Sequence, residues 1–112
     1  MPDARALCRE GFKHFADDRI TEAVDCYRRA VDAEPNLAIA WNGLSMTLKR
    51  KGDLDGAIDA GLKIVGLEPD DPLSHTNLSI LYQAKGMIQE AEDEKALAMQ
   101  LQLKAESDTS TG

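Results

Sequence analysis

The chain has few aromatic residues: one tryptophan, two tyrosines and two phenylalanines among 112 residues. Any core must therefore be assembled mainly from aliphatic side chains and alanine. Cysteine is scarce too, and two residues, Cys8 and Cys26, do not make a disulfide framework. No apolar run approaches the roughly 20 residues that span a bilayer. The opening MPDARALCREGFKHF has no apolar stretch of the signal-peptide kind. Basic residues are outnumbered, 13 against 20 acidic ones, for a net charge of −7. That balance argues against a general affinity for nucleic acid or an anionic membrane. No segment alternates apolar and polar residues with period two over a useful length, so strands are not expected. What remains is one small helical domain, expected to be cytoplasmic.

A repeat is present. Shifted by 34 residues, the sequence matches itself: Ala23, Ala57 and Ala91 align, as do Pro35 with Pro69, Gly52 with Gly86, Ser45 with Ser79 and Leu44 with Leu78. Ile20, Leu54 and Ile88 form a further apolar column. The units are 4–37, 38–71 and 72–105, and a fixed period in this range marks stacked supersecondary units. Each unit reads as two helices. In the second, Ile39, Leu44 and Leu48 recur at helical spacing with Trp41 among them, and Leu54, Ala57, Ile58, Leu62 and Val65 form the inner stripe of the next helix. Asn36 is the expected N-cap after Pro35, Gly52 ends the first helix, and Asp53 caps its successor. Asp71-Pro72 opens the third unit with a cap followed by proline at the first helical position.

These residues resemble the tetratricopeptide repeat family, whose pattern is W-x2-L-G-x2-Y, then A-x3-F, then P. The second unit supplies Trp41, Leu44, Ser45, Leu48, Ala57, Gly61 and Pro69. The first supplies Leu7, Glu10, Gly11, His14, Ala23, Tyr27 and Pro35, and the third His75, Leu78, Ser79, Tyr82, Ala91, Lys95 and Leu103. The resemblance covers residues 4–105. It implies an all-α fold, a right-handed helical solenoid of three helix-turn-helix repeats with an extended C-terminal helix. The domain is expected over 1–106, with a polar disordered tail at 107–112. Leu103 stands in place of a third proline, so the last helix is expected to run from Ile88 to about Glu106. Trp41 is expected to be buried at the centre of the stack. Gly61 and Lys95 occupy slots where the family prefers a large aromatic, and looser packing is expected there.

Little in the sequence points to chemistry. His14 and His75 fall on the tyrosine-like and tryptophan-like core slots and are expected to pack rather than ligate. The two cysteines and two histidines lack close-pair metal spacing, and no phosphate loop is present, since Gly56, Gly61 and Gly66 sit within a helix. The acidic run Glu90–Lys95 reads as a solvated helix face. No cofactor and no enzymatic activity are expected.

In the family the first helix of each unit lines a concave face where ligands lie. The resemblance therefore implies a partner-binding surface made of Arg5, Ile39 and Leu73 in one row, Arg9, Gly43 and Asn77 in the next, and Phe12, Met46 and Ile80 in a third. Asn42 belongs to the same face, with Lys49 and Arg50 near its far end. The charges segregate: the first-helix segments 4–16, 38–51 and 72–85 carry net +2, +3 and +1, while 17–34, 53–68 and 88–95 each carry −3. A mildly basic face with apolar residues suits a protein or peptide that has apolar anchors and some acidic residues. The positions matching the carboxylate-gripping set of chaperone-tail binders are Cys8, Phe12, Gly43, Leu73 and Asn77, and none has the required residue. The expected function is a protein-protein interaction module, adaptor, scaffold or assembly factor. The alternative is a scaffold that forms homo-oligomers through Leu97, Leu101 and Leu103 of its uncapped last helix.

Overall fold

The computed structural model describes residues 3–110. Six helices make it up, with no strand among the described residues: α1 (Ala4–Ala16), α2 (Ile20–Ala33), α3 (Ala38–Lys51), α4 (Leu54–Leu67), α5 (Pro72–Lys85) and α6 (Ile88–Ser110). Corresponding helices begin 34 residues apart, and neighbours in sequence pack against one another to build a solenoid.

Short-range chemistry fixes the helix ends. The cap slots before the first helices are residues 3, 37 and 71. Asp3 accepts from the Ala6 amide at 2.7 Å, and Asp71 accepts from Leu73 at 3.0 Å with Pro72 following it. In the middle unit the cap is Leu37, which makes no side-chain hydrogen bond, so Asn36 is not the cap. Asn36 lies one residue early in the Pro35–Leu37 turn, and the Leu37 side chain packs on the core instead. Asp53 caps α4 by accepting from Gly56 at 2.9 Å. Gly52 and Gly86 close the first helices of their units with φ of 95° and 86°, where glycine carries no Cβ penalty. The same slot in the first unit holds Asp18 at φ 59°.

Within each unit the two helices meet at small residues. Ala23, Ala57 and Ala91 are all buried. Opposite the latter two, Ser45 donates to the Ala57 carbonyl at 3.0 Å and Ser79 donates to the Ala91 carbonyl at 2.7 Å. Each hydroxyl is thereby buried with its hydrogen bond made. Around these contacts a continuous core runs through Leu7, Val24, Leu44, Leu48, Ile58 and Leu78.

Two expectations about packing need correction. Trp41 is only partly buried: its ring lies against the edge of the core, its Nε1 donates to the Pro35 carbonyl at 2.6 Å, and the Lys63 ammonium sits 5.8 Å from the ring centroid. A half-polar ring is well served at such an edge. His14 is half-exposed rather than core. The helix at the end also runs further than expected. α6 continues to Ser110, so residues 107–110 of the anticipated polar tail are helical, and residues 111 and 112 lie outside the described region. Adding residues to an existing helix costs little, and Gln102 donating to Glu106 at 3.1 Å supports the last turns.

Candidate functional site

The face formed by α1, α3 and α5 carries two depressions. One, of about 290 Å³, lies between α3 and α5 with α4 behind it. Of the residues expected to bind a partner, it brings together Asn42, Met46, Lys49, Asn77 and Ile80. The other, about 440 Å³ and more open, gathers Arg5, Arg9, Phe12 and Ile39 with Cys8 and Lys13. Leu73, 67 % exposed, lies in neither. Phe12 and Ile80 are exposed by 58 % and 45 %, so the apolar row does face solvent, with Met46 half-buried between them.

Two residues expected on this surface are employed elsewhere. Gly43 is buried, and a Cβ there would collide with the Tyr27 ring. It is the floor under that tyrosine and offers nothing to a partner. Arg50 reaches back to the first unit, where its guanidinium donates to Asp18 at 3.0 Å and stands 5.9 Å from the Phe15 ring centroid. Asp18 and Phe15 are 32 and 35 residues away in sequence, so no local pattern announces either contact.

The cavity itself traces to Gly61, which the family pattern flagged only as a departure. Tyr27 fills the space between the first and second units, its ring lying 3.0 Å from where a Gly11 Cβ would be. One period later, Tyr27, Gly11 and Gly43 become Gly61, Ser45 and Asn77, and all three line the cavity. Where one pair of units holds an aromatic ring, the next holds open space. Ile64, Ser74 and Leu81 complete the wall. Sequence reasoning missed Ser45, Gly61, Ile64, Ser74 and Leu81 as site residues, although Gly61 on an aromatic slot was the available signal. The Ser74 hydroxyl is buried and has no hydrogen-bond partner among the described residues.

His75 takes the slot of Trp41 in the third unit and repeats its contact. Nε2 lies 2.7 Å from the Pro69 carbonyl, matching Trp41 on Pro35. Nδ1 lies 2.6 Å from Glu94 Oε2. The Pro69 carbonyl and an ionised Glu94 only accept, so the ring can donate to both at once only in its doubly protonated form. Burial alone would lower its pKa, but the Glu94 and Pro69 hydrogen bonds outweigh it and the net shift is upward.

Glu10, His14 and Cys26 place their ligand atoms within 4.8 Å of one another. Sequence spacing could not show this grouping, because Cys26 comes from the neighbouring helix. Burial, then the Glu10 and Asp25 charges, hold the Cys26 thiol toward its protonated form, and three mixed donors do not by themselves select an ion.

Comparison with known proteins supports the architecture. No family model matches the chain. Curated peroxisomal targeting signal receptors are similar to it: that of Kluyveromyces lactis is 28% identical over 91 residues, 81% of this chain and 16% of the receptor, and that of Candida albicans is 28% identical over 78 residues, 70% of this chain and 13% of the receptor. The chain thus spans about a sixth of these relatives or less. Among solved structures, MamA superposes with a TM-score of 0.89 at 25% identity, covering 94% of this chain and 61% of MamA. The first TPR of Spaghetti (RPAP3), bound to the HSP90 peptide SRMEEVD, gives a TM-score of 0.82 at 21% identity, covering 88% of this chain and 79% of that one. Its fold is that of tetratricopeptide repeat proteins. Three helix-pair units stack as the 34-residue period requires, and no helix among the described residues is long and apolar enough to cross a membrane.

Proposed function

We propose that this tetratricopeptide chain is a protein-interaction module that binds a peptide or helix on its first-helix face. The observation that carries the reading is the cavity between α3 and α5, with Lys49 in its wall and exposed Phe12 and Ile80 on the same face, in a chain whose second-helix segments are acidic. Apolar anchors would enter the depressions, and acidic residues of the partner would meet the basic rim. Peptide binding by the similar RPAP3 repeat is consistent with this use of the fold. A C-terminal carboxylate of the chaperone-tail kind is not the proposed ligand, because Cys8, Phe12, Gly43, Leu73 and Asn77 supply no cation at the matching slots. No catalytic step is part of the reading.

Calorimetry against a captured partner at low and high salt tests it. Lys49→Glu should weaken binding about tenfold at low salt and less at high salt, because rim charges mainly steer encounter and are screened. Phe12→Ala and Met46→Ala should weaken it at both salts. Unchanged affinity in all three folded variants would move the interface to the acidic second-helix side.

A second reading, self-association, rests on the exposed Met99 and Leu103, which lie one turn apart on α6. Leu101 does not join them. It falls in register with the buried Ala91 and Ala98 and is itself partly buried. Light scattering that shows a monomer at high concentration would remove this reading.

A further inference from the structure

We propose that the cavity between α3, α4 and α5 receives a tyrosine side chain from the bound partner, with the ring lying over Gly61 and the phenol meeting Ser74. This rests on the peptide-binding reading above and names the anchor.

The molecule contains its own precedent. In the first pair of units, Tyr27 from α2 lies between α1 and α3, against Gly11 and Gly43. The three register equivalents, Gly61, Ser45 and Asn77, line a cavity of about 290 Å³. That volume lies at the small end of ligand sites, which run from about 300 Å³ upward. It suits one large side chain rather than a cofactor. The walls are apolar at Ile64, Ile80 and Leu81, as an aromatic ring requires.

The polar end of the site distinguishes tyrosine from phenylalanine. Ser74 is 4 % exposed and lines the cavity, and its buried hydroxyl has no hydrogen bond among the described residues to hold it in place, so rotation about the Cα–Cβ bond can bring it to a phenol. Buried polar groups are nearly always paired, and an unpaired one asks for an explanation. The preceding unit has Ala40 at this slot, so the repeat itself does not need the hydroxyl. A phenol is donor and acceptor together and can pair with it, whereas a phenylalanine ring cannot. Lys49 in the same wall favours acidic residues beside the tyrosine.

Two probes test this. The first is p-cresol, the tyrosine side chain itself, titrated into ¹⁵N-labelled protein alongside toluene. p-Cresol should shift the amides of Gly61, Ser74 and Asn77, with toluene binding several-fold more weakly, and Ser74→Ala should abolish the difference. The second is a set of acidic heptapeptides identical except for a central Tyr, Phe or Ala. The Tyr peptide should bind about tenfold more tightly than the Ala peptide. The double variant Gly61→Tyr with Asn77→Gly, which restores two of the three first-cell residues and leaves Ser45, should lose both p-cresol binding and the tyrosine preference. If that variant fails to fold, Ser74→Ala carries the decision through the p-cresol to toluene ratio. p-Cresol shifts that map elsewhere, or peptides retained regardless of their centre, would overturn this proposal and leave the broader reading. Failure to retain any peptide would overturn the broader reading and this one with it. Cavity substitutions that alter only self-association would mark a second copy as the occupant and also overturn it.

Discussion

The interval between the first and second units and the interval between the second and third are built on one plan and finished differently. In the first, Tyr27 is 3 % exposed and two glycines make room for it. In the second, the aromatic has become Gly61 and the glycines have become Ser45 and Asn77, which leaves a cavity. The surrounding helices begin at the same 34-residue offset in both. The backbone of the solenoid is therefore set by the small-residue contacts within each unit and by the caps. The side chain between units is a free choice, available either for packing or for binding.

Breaking the filled interval should have the largest effect. Tyr27→Ala should cost about 3–5 kcal/mol, the range for deleting a buried aromatic, as read by urea denaturation. A loss below about 1 kcal/mol, the size of an ordinary surface change, would mean that the two intervals are equally loose.

The contrast sharpens with two matched substitutions. Gly43→Ala drives a Cβ into the Tyr27 ring and should cost about 1–3 kcal/mol through overpacking, despite alanine's better helix propensity. Gly61→Ala meets only Leu78 Cδ1 at 3.2 Å and Leu81 Cδ1 at 3.5 Å. It should be neutral or stabilising by up to ~1 kcal/mol, the propensity gain of alanine over glycine. Equal effects at the two sites would contradict the assignment of one as filled and the other as open.

The second and third units also differ in the ring that grips the proline carbonyl. Trp41 has no titrating group there, whereas at His75 burial lowers the pKa but the Glu94 and Pro69 hydrogen bonds outweigh it, with Asp71 adding to the upward shift. A raised folded pKa means that this contribution is complete below the ordinary histidine value of 6.5 and is lost as pH rises through the folded value. Thermal melts between about pH 6 and pH 8, the range where histidine titrates, should fall with rising pH. His75→Phe should flatten that slope, and Trp41→Phe should leave it unchanged. A slope that survives His75→Phe would place its origin elsewhere.

The smallest effect is expected at the turn of the first unit. Asp18→Gly relieves a left-handed backbone but removes the exposed Arg50 ion pair. Opposing terms of this kind, the exposed pair being worth about 0–1 kcal/mol, should leave stability within about 1 kcal/mol of the parent. A loss well beyond that would show that Arg50 ties the first two units together.

The sequence by itself determined the number of helices, their 34-residue spacing, the caps at Asp53 and Asp71, the glycine stops at Gly52 and Gly86, and the small-residue contact of Ser45 with Ala57. Each of these depends on residues close in the chain or repeated at a fixed offset, so periodicity and capping chemistry suffice to read them. Only the tertiary structure decided how far each slot is buried. Trp41 sits at an edge because Pro35 and Lys63 surround it. Gly43 is lost to a partner because Tyr27 covers it, and Arg50 turns toward an Asp18 that lies 32 residues away. The open cell at Gly61 was legible as a missing aromatic, but its shape and the unpaired Ser74 hydroxyl depend on three helices meeting. Burial and hydrogen-bond satisfaction are properties of that meeting, set by side chains that approach from different units.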